Sequence, residues 1–62
     1  MFITYQPFPE NAQGNEAHIG NTVSILKKEK FPNKFMVGAY KADGNWEEWV
    51  AHVDELDGFE GV

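Results

Sequence analysis

The spacing of apolar positions along the chain changes twice. Phe2, Ile3, Thr4 and Tyr5 are aromatic or β-branched, and Pro7 and Pro9 close the run because a proline has no N–H for a sheet ladder, so a short strand is expected over 2–6. Residues 9–21 then hold only Ala12, Ala17 and Ile19 as apolar points among asparagine, glycine and glutamate, which is turn chemistry without a period. This irregular loop is long for a compact domain, and such loops are often functional. Thr22 to Lys28, with Val23, Ile25 and Leu26, marks a second strand over 22–28, and Phe35 to Tyr40 a third over 35–41. Phe31-Pro32-Asn33-Lys34 is the turn between them, which makes the pair an antiparallel hairpin. Gly38 lies inside the third strand, where a missing side chain marks close approach by another element.

From Asn45 onward the period lengthens. At 100° per residue, Trp46, Trp49, Val50, Val53 and Leu56 fall within roughly 120°, the apolar stripe of an amphipathic helix over 46–57. Asn45 stands where an N-cap would, Glu48 where a capping box closes, and Gly58 where a left-handed residue ends a helix. A rival assignment makes Asp43-Gly44 a hairpin turn joining the third strand to a fourth over 46–53, and the turn chemistry favours it. Alternation opposes it, because Trp46 and Trp49 would then face opposite sides of the sheet. The helix satisfies more of the pattern. The expected fold is therefore α+β: a three-stranded antiparallel sheet with one C-terminal amphipathic helix packed on one face, in a single domain over 1–62 with a loose tail over 59–62. Phe59 is the one residue of that tail suited to docking back.

Size and composition narrow the classes. The 62 residues are 42% hydrophobic and 15% aromatic with no cysteine, which excludes disulfide scaffolds, thiolate metal sites and thiol catalysis. A chain this short has room for one core, and its dense aromatics are what it has to build that core with. No apolar stretch reaches the roughly 20 residues that span a bilayer, and Met1 to Tyr5 lacks the basic start of an export signal, so the expected setting is cytoplasmic with no membrane partner.

Charge is unevenly divided. Residues 1–42 carry all five lysines against Glu10, Glu16 and Glu29, whereas residues 43–62 carry Asp43, Glu47, Glu48, Asp54, Glu55, Asp57 and Glu60 with no base. On a helix, Glu47 with Asp54 and Glu48 with Glu55 form two carboxylate rows, with about 10 Å between Glu47 and Asp54 along the axis, a spacing on the scale of nucleic-acid phosphates. Surfaces built only for solubility mix signs. The expected function is thus a small acidic, non-enzymatic protein-binding module. It would be an inhibitor or regulator that docks Asp43, Glu47, Glu48, Asp54, Glu55 and Asp57 on a basic surface of another protein. A nucleic-acid-binding cleft would read these carboxylates as DNA, and occluding it would be the mechanism. Such economy of size suits a phage or mobile-element product.

Two alternatives stand beside it. Lys27, Lys28, Lys30 and Lys34 cluster around the hairpin turn with Phe31 and can contact phosphates, although a net charge of −5 opposes attraction to nucleic acid and lysines also protect sheet edges. Alternatively, the Trp46/Trp49 face is buried in a homo-oligomer. The residues offer little chemistry: Ser24 has no paired base, and no glycine-rich phosphate loop is present. His18 and His52 lack a ligand spacing, and Asp54, Asp57 and Gly58 do not match a calcium loop, so no cofactor or metal is expected.

Overall fold

The computed structural model describes residues 2–59 and consists of strands and single 3-10 turns. In chain order the strands are β1 (Thr4–Tyr5), β2 (Ser24–Lys28), β3 (Lys34–Tyr40), β4 (Trp46–His52) and β5 (Leu56–Asp57). Strands β2, β3 and β4 form an antiparallel meander, and β1 pairs antiparallel with β5 in a small second sheet. One-turn 3-10 helices occupy Pro9–Asn11, Glu16–His18 and Val53–Glu55. No helix among the described residues is long and apolar enough to cross a membrane.

The hairpin β2–β3 turns through Pro32-Asn33. Asn33 takes φ 68°, the left-handed conformation that a type II turn requires after proline, and Lys34 N–H reaches Phe31 O at 3.4 Å. Beyond it the ladder slips between Ile25 and Lys27, a bulge that leaves Leu26 half exposed.

The C-terminal helix expected over 46–57 does not form, and the fold is β-rich rather than α+β. All seven residues from Trp46 to His52 pair in register with β3, from Tyr40↔Trp46 to Lys34↔His52. Local chemistry at the β3–β4 turn explains the outcome. Gly44 adopts φ 90°, its N–H bonds Lys41 O at 2.9 Å, and Lys41 N–H bonds Asn45 O at 2.8 Å, closing a three-residue loop with glycine at its left-handed position. Asp43 Oδ1 accepts from Asn45 N–H at 3.0 Å, so Asn45 belongs to a turn and caps no helix. An isolated helix of this length is marginal in water, whereas β-branched and aromatic residues here gain a full ladder against β3.

The outward Trp46 that argued against a strand has a partner in the fold, and so does Glu47, which the strand turns inward. Trp46 faces outward, and its indole lies over Gly38 so closely that a Cβ there would overlap its Cζ2. Glu47 faces inward, where His18 Nε2–H donates to its Oε1 at 2.6 Å. The helix start expected from Asn45 and Glu48 appears instead at His52. His52 Nδ1 accepts from Asp54 N–H and Glu55 Oε1 from His52 N–H, a capping box for one 3-10 turn.

Instead of a helix, the chain's two ends cover the inner face. The core is Tyr5, Val23, Phe35, Val37, Ala39, Ala51 and Leu56, with Ile3, Ile25, Trp49, Val53 and Phe59 packed against it. Trp49 sits between the Tyr5 ring, edge-on at 5.1 Å, and the His18 ring, stacked at 4.5 Å. Phe59 meets Phe35 edge-on at 4.9 Å, so this residue of the expected tail is docked; residues 60–62 lie outside the described residues. The loop over 9–21 is tied down by Gly20 N–H to Tyr5 O at 2.7 Å and by buried His18. Gly58 does not end a helix: with φ 92° it lets β5 close on β1, where a Cβ would meet Phe2 O at 2.7 Å.

Candidate functional site

The six carboxylates expected to form one docking face are dispersed. Rows on a helix require a helix; on β4, neighbours in sequence point to opposite sides, so Glu47 lies on the inner face and Glu48 on the outer. Glu55 is buried, 2% exposed, and its carboxylate joins three segments: Oε2 accepts from Phe8 N–H at 2.9 Å and Asn11 Nδ2 at 3.2 Å, and Oε1 from His52 N–H at 3.0 Å. It holds the amino-terminal segment against the end of β4. Glu47 is engaged by His18, and Lys41 Nζ lies 3.8 Å from its second oxygen and 3.6 Å from Asp43 Oδ2. Asp54 and Asp57 are exposed, the latter opposite Thr4. Asp43 is exposed in the turn, and the Asn45 backbone N–H, followed by the Lys41 charge, holds its carboxyl below its ordinary value.

What the fold assembles is an uncovered face on the meander. Even-numbered residues of β3 and β4 line it: Met36, Gly38 and Tyr40 beside Trp46, Glu48, Val50 and His52. Tyr40 is 70% exposed, Val50 47% and Trp46 41%. The Tyr40 and Trp46 rings meet edge-on at 4.9 Å. Trp46 is held from below by Gly38 and from the side by Glu48, whose Oε2 accepts its indole N–H at 2.8 Å. Gly38 is thus the reason a large aromatic can lie flat on an open sheet, and Glu48 fixes its orientation while remaining exposed.

At the other end of the same face a shallow cleft of about 280 Å³ opens between Phe8, Asn11, Lys34, Val50, His52 and Glu55. The Phe8 and His52 rings are 6.1 Å apart across it. His52 Nδ1 accepts from Asp54 N–H, which places the ring proton on Nε2. No cluster of three potential metal ligands occurs among the described residues. Lys27, Lys28, Lys30 and Lys34 are all exposed about the β2–β3 turn, where Phe31 also projects.

Two features of this arrangement are not specified by the sequence pattern alone. His18 and Glu47 are far apart in the chain, and nothing local to either announces the pair. Trp46 and Gly38 carry a signal that stays ambiguous, since a strand glycine and a tryptophan say that something approaches closely without saying what. Protein-family models, curated proteins and solved structures contain no match to this chain, which leaves the open Tyr40–Trp46–Val50 face and its carboxylate neighbour as the ground for function.

Proposed function

We propose that the protein is a small, acidic, non-enzymatic binding module that docks on a basic patch of a partner protein, acting in the cytoplasm as an inhibitor or regulator. The observation that supports this is the Tyr40–Trp46 pair, exposed on an uncovered sheet face with Glu48 bonded to the indole. Tryptophan and tyrosine are the commonest interface anchors, and an aromatic anchor beside a carboxylate suits an arginine or lysine stacked on the ring and paired with the acid. The concentration of carboxylates in residues 43–62 gives the region a field that speeds encounter with a basic surface. A shallow cleft with no nucleophile–base pair supports binding over catalysis. A cysteine-free chain of this size suits a reducing compartment, since small domains of oxidising ones are commonly stapled by disulfides.

The carboxylates carrying the docking are then the exposed ones, Asp43, Glu48, Asp54 and Asp57, because Glu47 and Glu55 serve the fold. The test compares capture of partner proteins by the unaltered chain, by Trp46→Ala, and by the double reversal Glu48→Lys with Asp54→Lys. Loss with Trp46→Ala, and slowed association that fades with added salt in the reversal, is the expected result. Undiminished capture by folded versions of both excludes this face.

A further inference from the structure

The strand that carries Trp46 is also an open edge. In the β3–β4 ladder the hydrogen-bonded partners are the odd-numbered residues of β4, as its two ends show: Lys41 N–H bonds Asn45 O at 2.8 Å, and Val53 N–H bonds Asn33 O at 2.7 Å. Antiparallel alternation then turns the N–H and C=O groups of Trp46, Glu48 and Val50 away from β3. The strand order β2-β3-β4 places no strand on that side, and among the described residues no backbone bond reaches these groups. At His52 the edge is closed, its N–H bonded to Glu55 Oε1 at 3.0 Å.

The opposite edge of the sheet is built differently. On β2 the pairing slips between Ile25 and Lys27, Lys27, Lys28 and Lys30 line the strand end, and Val23 N–H is taken by Ile3 O at 2.8 Å. Bulges, lysines and covering segments are the usual devices against strand addition. Strand β4 has no proline, no lysine and no bulge over its seven paired residues.

We infer that β4 accepts an extended cationic segment of the partner protein as an added strand. Its main chain would bond Trp46, Glu48 and Val50, and a lysine or arginine would pair with Glu48. This rests on the protein-binding role proposed above and names what the face receives. An incoming strand lies about 4.8 Å from β4, which sets alternate side chains beside the Trp46 and Val50 side chains on the open face. Its charge follows from the site: Glu48 is exposed on the edge strand, Asp43 and Asp54 stand at its two ends, and no lysine or arginine occurs in residues 43–62. A second copy fits poorly, because it brings a further net charge of −5 and a two-fold pairing centred on Glu48 sets that carboxylate against itself.

The test measures amide exchange at Trp46, Glu48 and Val50 in the full chain with a blocked eight-residue peptide of alternating lysine and valine. Two controls replace lysine by glutamate or methylate every peptide nitrogen. About tenfold slower exchange at these three amides with the lysine peptide alone is expected, and Val50→Pro, which removes an outward N–H and leaves the β3 ladder intact, should abolish it while Val50→Ala retains it. Unchanged exchange at millimolar lysine peptide overturns the inference. So does equal protection by the methylated peptide, which is side-chain docking without strand addition, or protection that grows with protein concentration in the absence of peptide, which makes a second copy the occupant. If Val50→Pro does not fold, the methylated peptide still decides. Loss of strand addition with Trp46-dependent capture intact overturns this inference and leaves the docking face standing; loss of both removes the face as well.

Discussion

Glu55 shows how much one side chain can carry in a chain with so small a core. Its carboxylate accepts three hydrogen bonds from residues in two other segments while almost fully buried. Removing it leaves the partly buried Phe8 and His52 N–H groups and the Asn11 amide without their acceptor, and an unsatisfied donor costs about 1–3 kcal/mol, nearer the lower figure where water reaches it. Glu55→Ala should therefore lose about 3 kcal/mol or more in urea unfolding, whereas an exposed neighbour such as Asp54→Ala stays within about 0.5 kcal/mol. Tyr5 makes a different contribution. Burial first, opposed by the Asn15 hydrogen bond, raises its hydroxyl above the ordinary value of 10.0. The folded state then holds its proton when the unfolded chain has lost it, so stability is constant below that value and falls as pH rises toward the folded one. Tyr5→Phe should flatten this alkaline fall in a pH series of thermal unfolding.

At the scale of elements, the turn between β3 and β4 decides the conformation of the C-terminal third. Asp43 is held below its ordinary value of 3.8, chiefly by the Asn45 backbone N–H, so its support for the turn is present above that value and disappears as pH falls through the lower folded one. Asp43→Ala should weaken the fold near neutral pH and match the unaltered chain in strong acid, read from denaturant midpoints at both. Gly38 and Trp46 couple β3 to β4 across the open face. Gly38→Ala should push the indole outward, seen as red-shifted emission and faster quenching of Trp46, and cost about 1–3 kcal/mol through the crowding of an added methyl. Far-ultraviolet dichroism should lack the paired minima of an α-helix, which separates a β4 strand from a helix over the same residues.

For the whole molecule, the charge division reaches the surface only in part: Asp43, Glu48, Asp54 and Asp57 are exposed, whereas Glu55 is buried and Glu47 faces His18. Seven carboxylates in the last third and lysines about the β2–β3 turn leave a net charge of −5, and the like charges of residues 43–62 repel one another in the folded state. Moderate salt should raise the melting temperature, since screening relieves this repulsion within a Debye length of about 8–10 Å. A fall in melting temperature would mean that the Lys41 pairs outweigh the repulsion. The same salt should slow capture of a basic partner, so stability and association respond in opposite directions.

The sequence by itself determined what local chemistry controls. The β-branched runs of 22–41 and the Pro32-Asn33 turn specify a hairpin without help from the rest of the chain, and the charge imbalance and the absence of cysteine follow from counting. Asp43-Gly44 carried the signal for the second hairpin as well, but its weight depended on whether Trp46 could face outward and Glu47 inward. Only the tertiary structure decided that, because the partners that make those orientations favourable are Gly38 on the neighbouring strand and His18, 29 residues away from Glu47. For the same reason Glu55 read as one more surface carboxylate, since its acceptors' partners Phe8 and Asn11 lie 47 and 44 residues away. A periodicity sums over neighbours in sequence, whereas an inward carboxylate or an outward tryptophan is favourable only through the group that meets it in space.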